Sequence, residues 1–368
     1  MSFYKVYEKY HDFDFNTFFN RLKDHDAKRA VNSEDPRAEE LLAMLSPISE
    51  RYIEEMAEKA SRITVKNFGK TIMLYTPLYL SNYCVNECIY CGFNRNVNVK
   101  RKKLALTEVD EEAKAISRTG LKHVLILTGE SRKETPVSYI KDCVSILKRY
   151  FSSISVEIYP LSQEEYADLI KTGVDGLTIY QEAYDEKSYE TYHPKGPKKN
   201  YRNRLDTPER SAKAGMRTVN IGALLGLSDW RKEAFFLGMH AKYLQDKYPD
   251  AEISISIPRI RPQVKNFKPK YIVKDKDIVQ IITALRIFMP RLGITVSTRE
   301  SQKLRDNLLQ LGVTKMSAGS STIVGGHTIC NDEPGQFEIS DKRSVEEMRK
   351  LLISKGFQPV LKDWMAGI

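Results

Sequence analysis

A (β/α)8 TIM-type barrel of the α/β class, preceded by a helical N-terminal segment, is predicted from three observations. From Lys70 onward, short β-rich apolar runs alternate with amphipathic stretches of ten to twenty residues. Eight such runs occur, and eight strand–helix units close naturally into a barrel. Most runs are nearly continuous in apolar residues rather than alternating, as strands covered on both faces are. An open doubly wound sheet is the alternative that the same pattern allows.

Residues 1–69 form the first predicted unit. In EELLAMLSPISERYIEEMAEKASRI the apolar positions recur at three and four, with no strand-like alternation. Residues 70–368 form the second unit, a barrel with a C-terminal tail. Its strands are expected at 71–80, 123–129, 155–161, 176–182, 217–227, 252–260, 294–300 and, more weakly, 313–319. The intervening helices carry start signals in the pairs Thr107 with Asp110 and Ser162 with Glu165, and in Pro136 and Pro208. Stop signals stand at Gly120, Gly173, Gly215 and Gly293. Residues 184–205, YDEKSYETYHPKGPKKNYRNRL, are too long for an ordinary strand-to-helix turn of about two to six residues. They read as a lid or a cofactor-contacting loop.

The chain has 368 residues, 41% hydrophobic and 29% charged, enough for a large core and unlike disordered or collagen-like chains. No apolar run approaches the about 18 residues of a membrane span, and MSFYKVYEKYHDFDF lacks the features of a signal peptide. No membrane association and a cytoplasmic location are expected. The net charge of +10 lies in loose patches: residues 100–103; Lys195, Lys198, Lys199, Arg202 and Arg204; and residues 265–274. Such patches suit clefts and loops better than a nucleic-acid arm. An RNA-modifying or RNA-binding protein with a structural metal is the reading from another class. No RNA-binding module and no aromatic interleaving support it, so no nucleic-acid partner is expected.

Three of the five cysteines, Cys84, Cys88 and Cys91, fall within eight residues, while Cys143 and Cys330 stand alone. Their C-x3-C-x2-C spacing follows the first strand, where barrel enzymes place their chemistry. Soft sulfur ligands select zinc or iron–sulfur clusters. A structural zinc ion needs four closed ligands, and no nearby Cys or His supplies the fourth. A 4Fe-4S cluster held by three cysteines keeps one iron open, which is a catalytic arrangement.

The block CVNECIYC, residues 84–91, resembles the signature of the radical S-adenosylmethionine (SAM) enzymes. Around it PLYLSNYCVNECIYCGFNRN, LILTGE, VEIYPL, YQEAY, RLDTPERSAKAGM, IGALLGLSDW, SIPRIRP, STRES and LKDW resemble the 2-iminoacetate synthases, biotin-synthase-like tyrosine lyases of thiamine thiazole biosynthesis. The resemblance runs from about residue 40 to 364. It implies a radical SAM (β/α)8 barrel with one 4Fe-4S cluster on Cys84, Cys88 and Cys91, and SAM bound at the open iron.

By resemblance, Thr128, Gly129 and Glu130 stand where related enzymes carry Gly-Gly-Glu against the methionine ammonium of SAM, with Thr128 replacing the first glycine. Arg204 matches an arginine that neutralises the SAM carboxylate, and Tyr90 an aromatic residue against the adenine. Glu157 and Tyr159 resemble a ribose-contacting pair, and either also suits a core residue. The glycine-containing run from Gly222 to Gly226 would let adenine approach the backbone.

For the substrate, Arg299 at the mouth of strand seven is the expected carboxylate receptor. Ser317 and Ser320 would complete that site, with Arg259 and Arg261 as alternative anchors. The implied reaction cleaves SAM reductively to methionine and a 5′-deoxyadenosyl radical. That radical takes hydrogen from the amino group of L-tyrosine, and the Cα–Cβ bond splits to 2-iminoacetate (dehydroglycine) and a 4-hydroxybenzyl species that ends as p-cresol. Tryptophan lyases and deazaflavin synthases share this mechanism and remain alternatives. The tyrosine lyase of [FeFe]-hydrogenase maturation adds a second cysteine-bound cluster, which is not expected here because only Cys330 follows the barrel. Implied partners are a thiazole synthase and a flavodoxin or ferredoxin electron donor.

Overall fold

The computed structural model describes residues 2–263, 267–329 and 334–362. Eight parallel strands close into a barrel: β1 (Thr71–Ser81), β2 (His123–Thr128), β3 (Ser153–Glu157), β4 (Gly176–Glu182), β5 (Thr218–Ala223), β6 (Glu252–Ser256), β7 (Gly293–Val296) and β8 (Lys315–Ser317). β8 pairs with β1, and β1 also pairs with β2, which completes the ring. The open sheet is thereby excluded. A ninth strand, β9 (Gln358–Val360), was not expected from the sequence. It pairs with Thr71, Ile72 and Met73 of β1, ahead of the Thr76 register at which β2 begins. Gln-Pro-Val carries too little apolar pattern to announce a strand.

Several strands are shorter than expected. β3 stops at Glu157, because Pro160 offers no amide hydrogen for a ladder. β5, β6 and β7 stop at Ala223, Ser256 and Val296, and their expected upper halves instead form the loops around the mouth. Leu225 and Arg259 still join by one isolated bridge.

The expected capping box at Ser162 and Glu165 is present, with reciprocal bonds of 3.2 and 2.9 Å. The pair at Thr107 and Asp110 is not: the helix starts at Leu106, Glu108 accepts the Ala105 amide, and Asp110 instead accepts from Arg149 and Tyr150. Gly173 closes the helix Gln163–Thr172 at φ 120°, a conformation that side-chain-bearing residues rarely adopt.

Helices Tyr4–Tyr7, Phe15–Arg21, Asp24–Asn32, Ala38–Met44 and Ile53–Phe68 precede the barrel. Phe3, Tyr7 and Phe15 pack on Tyr184, Phe236 and His240, so this segment is fused to the outer layer of the barrel rather than tethered. The Gln280 amide donates to the carbonyls of Met44 and Ser46, at 2.8 and 2.9 Å. No helix among the described residues is long and apolar enough to cross a membrane.

Candidate active site

The cysteines lie on the loop that leaves β1 at the C-terminal mouth of the barrel. Cys88 is buried, and Cys84 and Cys91 are half-buried. Burial pushes the Cys88 thiol up to about 12; Lys198 opposes this, and the neighbouring Cys91 and Cys84 add to it. Internal bonds hold the loop in shape. Cys91 N–H and the Asn94 side chain both donate to the Cys88 carbonyl, at 3.2 and 2.9 Å. Arg101 donates to the carbonyls of Asn82, Phe93, Asn94 and Val97, so one charge of the first basic patch is a staple rather than a free anion site.

Two further segments clamp this loop. Gly129 is required by close approach: a Cβ there would stand 2.3 Å from the Tyr83 carbonyl oxygen. Glu130 accepts from Val85 N–H through its backbone at 2.9 Å, and from Asn86 Nδ2 through its carboxylate at 2.6 Å. On the other side, residues 192–198 of the long connection accept from Ile89 and Glu87 N–H and donate to Asn86 Oδ1 from Lys198 N–H. Gly196 permits this contact, since a Cβ would meet Asn86 Oδ1 at 2.3 Å. The long loop is therefore laid against the cysteines and is not an open lid.

A chamber opens beside Cys91. Tyr90, Glu157, Glu182 and Lys198 line one part of it, and Arg261, Arg299, Gln336 and Phe337 another. Glu182 is the only described non-glycine residue with positive φ, at 71°, and it stands at a register shift in β4. Strain of this kind persists where its surroundings enforce it. Lys198 Nζ lies 2.6 Å and Arg204 Nη2 3.4 Å from the Glu182 carboxylate. Burial alone would raise that carboxyl, but these two cations outweigh it and hold it below the usual range. Glu157 is pushed up to about 7 by burial and then by Glu182, against Arg299, Arg204 and Lys198. The cations leave an excess of positive charge in a partly dehydrated space, suited to carboxylate ligands.

Two family models match the chain: the radical SAM superfamily over residues 78–237 and the biotin and thiamin synthesis associated domain over residues 256–358. The chain is 39% identical to the 2-iminoacetate synthase of Salmonella typhimurium strain LT2 over 92% of its length and 90% of the relative. Identity to the Escherichia coli K12 2-iminoacetate synthase is 38% with the same coverage. This chain belongs to the 2-iminoacetate synthase family. Its fold also matches the [FeFe]-hydrogenase maturase HydG from Carboxydothermus hydrogenoformans, with a TM-score of 0.88 and 33% identity over 94% of this chain and 82% of that one.

The donor set fits the iron–sulfur cluster of a radical SAM enzyme. Three thiols share one loop, and N–H groups point at two of them: Phe93 N–H and Gln336 Nε2 at Cys91 Sγ, 3.4 and 3.6 Å away, and Asn86 Nδ2 at Cys84 Sγ, 3.8 Å away. Such bonds favour thiolate ligands. Among the described residues no three His, Cys, Asp or Glu side chains form a group suited to a single metal ion.

Of the site residues expected in this member of the 2-iminoacetate synthase family, Tyr90, Glu157, Arg261 and Arg299 line the chamber. Arg204 borders it through Glu182, buried and bonded to the Tyr180 carbonyl at 2.6 Å. Thr128 ends β2 with a buried hydroxyl.

Other expected residues lie elsewhere. Tyr159 lies beyond β3, donates its hydroxyl to the Thr135 carbonyl at 2.5 Å and stacks under Arg132, so it does not accompany Glu157. Arg259 is bound to Glu300 and Asp275 and does not line the chamber. Ser317 accepts from Thr298 N–H at 3.0 Å, and neither it nor Ser320 lines the chamber. At Gly222 the space is taken by the Tyr180 ring, which a Cβ would meet at 2.5 Å, and is not left for a ligand. Cys330 and the end of LKDW lie outside the described residues.

Sequence reasoning missed Asn86, Glu182, His193, Lys198, Gln336 and Phe337. Glu182 ends β4, where barrel enzymes place their chemistry, so that rule reaches it. Gln336 and Phe337 follow β8 by about twenty residues with no motif around them.

Proposed function

We propose that the chain is a radical SAM tyrosine lyase, cleaving L-tyrosine between Cα and Cβ to 2-iminoacetate and p-cresol while SAM becomes methionine and 5′-deoxyadenosine, with an external reductant supplying one electron to cleave SAM and one, with a proton, to the 4-hydroxybenzyl fragment. The observation that carries this reading is one chamber lined by both Cys91 and Arg299. Cys84, Cys88 and Cys91 would hold a 4Fe-4S cluster, which supplies the electron for reductive cleavage of SAM.

The chain's own residues bind and orient. Arg299, its guanidinium flattened over Phe337 at 3.4 Å from the ring centre, presents a fork to the tyrosine carboxylate. Arg261 is the second cation available to it. Tyr90 offers a fixed aromatic face for the adenine, and Glu157 a carboxyl for the ribose hydroxyls. Glu130 and Arg204 balance the methionine ammonium and carboxylate of SAM. The strap of residues 334–343 and the long loop exclude water, and positioning of this kind supplies much of the rate in radical chemistry.

Because 2-iminoacetate hydrolyses readily, direct transfer to a thiazole synthase follows, in the cytoplasm, with a flavodoxin or ferredoxin as electron donor. The test is anaerobic reconstitution with iron and sulfide, then SAM, a low-potential reductant and tyrosine, with a Cys88→Ala control. Both p-cresol and 5′-deoxyadenosine are expected, lost together in the control. Deoxyadenosine alone moves the substrate to another amino acid, tryptophan first; neither product from loaded protein refutes the function.

A further inference from the structure

We propose that Gln336 acts through Cys91 as a positioning residue of the cluster, its side-chain amide setting how readily a cluster held by that sulfur takes up an electron. The inference rests on the reading of the cysteines as cluster ligands and adds a residue from far along the chain, beyond β8, to their surroundings.

Gln336 Nε2 lies 3.6 Å from Cys91 Sγ, and its Oε1 accepts from the Tyr79 hydroxyl at 2.8 Å. The two bonds define the amide's orientation. A ligating sulfur is an acceptor, and turning the amide over would aim oxygen lone pairs at it. Tyr79 is buried on β1 next to Phe93, so the anchor is itself anchored. The backbone of Gln336 is equally committed. Its N–H donates to the Thr322 carbonyl at 3.1 Å, and its own carbonyl packs on Gly92, where a Cβ would stand 2.5 Å away. The residue after the third cysteine must therefore be small for the strap to reach the sulfur.

Hydrogen bonds to ligating sulfurs are among the factors that set cluster potentials, because they withdraw charge and stabilise the reduced state. Phe93 N–H is the other donor to Cys91, a backbone group that every substitution except proline leaves in place. Gln336 is thus the adjustable one. Its chain neighbour Phe337 lies under the Arg299 guanidinium, so one strap touches both the cluster ligand and the proposed carboxylate receptor.

The experiment uses the full chain, reconstituted anaerobically, without SAM or tyrosine. Iron and sulfide per chain are measured for wild type, Gln336→Glu and Gln336→Leu, and the reduced fraction is followed by electron paramagnetic resonance against solution potential. Gln336→Glu replaces a donor by a charged acceptor of the same shape. It is expected to keep its iron and to lower the reduced-to-oxidised ratio at a fixed potential about tenfold, equal to about 59 mV for one electron. Gln336→Leu is expected to fall between it and wild type. Loaded variants that titrate with wild type overturn the proposal. Loss of iron from both variants overturns it as well, since Gln336 would then be needed to bind the cluster rather than to tune it. If only Gln336→Glu loses iron, a loaded Gln336→Leu decides by its shift or lack of one. Failure of the parent reading shows separately, as wild-type protein that binds no iron.

Discussion

The Tyr90 hydroxyl lies 2.8 Å from His193 Nε2, while His193 Nδ1 is 2.7 Å from the Tyr189 carbonyl. A carbonyl only accepts, so Nδ1 carries the hydrogen and Tyr90 donates to Nε2. Burial, and then Lys198, push His193 down to about 3, and it is neutral at working pH. His193→Ala should leave a buried phenol unpaired, cost about 1–3 kcal/mol of stability, and raise KM for SAM about tenfold if the ring loses about 1.4 kcal/mol of positioning. His193→Gln restores an acceptor and should recover most of both. Equal behaviour of the two variants in denaturation and SAM titration would show that this hydrogen bond is not the cause.

Lys198, Glu182 and Arg204 form a buried charge group at the chamber wall. Lys198→Met leaves the carboxylate with the more distant arginine alone and should destabilise the chain by about 3–5 kcal/mol. Adding Glu182→Gln removes the under-compensated charge, so the double variant should lose less than the sum of the two singles. Urea denaturation of the four proteins measures the coupling, and strict additivity would contradict it.

The Glu157 carboxyl, raised from 4.5 to about 7, retains a proton in the native chain that the unfolded chain has released between those values. The contribution of this group to stability must fall as pH rises through this window. Glu157→Gln removes the titration, so its stability relative to wild type should climb with pH, by up to about 3 kcal/mol above pH 7. Denaturation of the ligand-free chain at pH 5 and pH 8 tests this, and an equal difference at both pH values would count against it.

The two arginines at the strand ends should separate cleanly. Arg299→Ala is expected to raise KM for tyrosine tenfold to a hundredfold, the loss of about 1.4–2.7 kcal/mol of carboxylate binding, without a matching loss of stability. Arg259→Ala strands the buried Glu300 and should cost stability, about 3 kcal/mol, while the folded fraction keeps its KM. The opposite pattern in steady-state assays would exchange their roles.

Local patterns in the chain were sufficient for the eight-stranded barrel, the helical segment before it, the cysteine loop, and Arg299 at a strand end. Each is written in periodicity, in spacing within a few residues, or in the rule that barrel chemistry follows the strands. Which polar side chains meet was settled by folding alone. Arg259 and Arg299 look alike in sequence, and only the position of Glu300 commits one and frees the other. Tyr159 looks like a partner of Glu157 until β3 ends before it. Glu130, His193 and Gln336 come from three segments far apart in the chain and converge on the cysteine loop. Hydrogen bonds across such separations leave no period or spacing behind, because loop closure, and not local backbone geometry, brings their partners together.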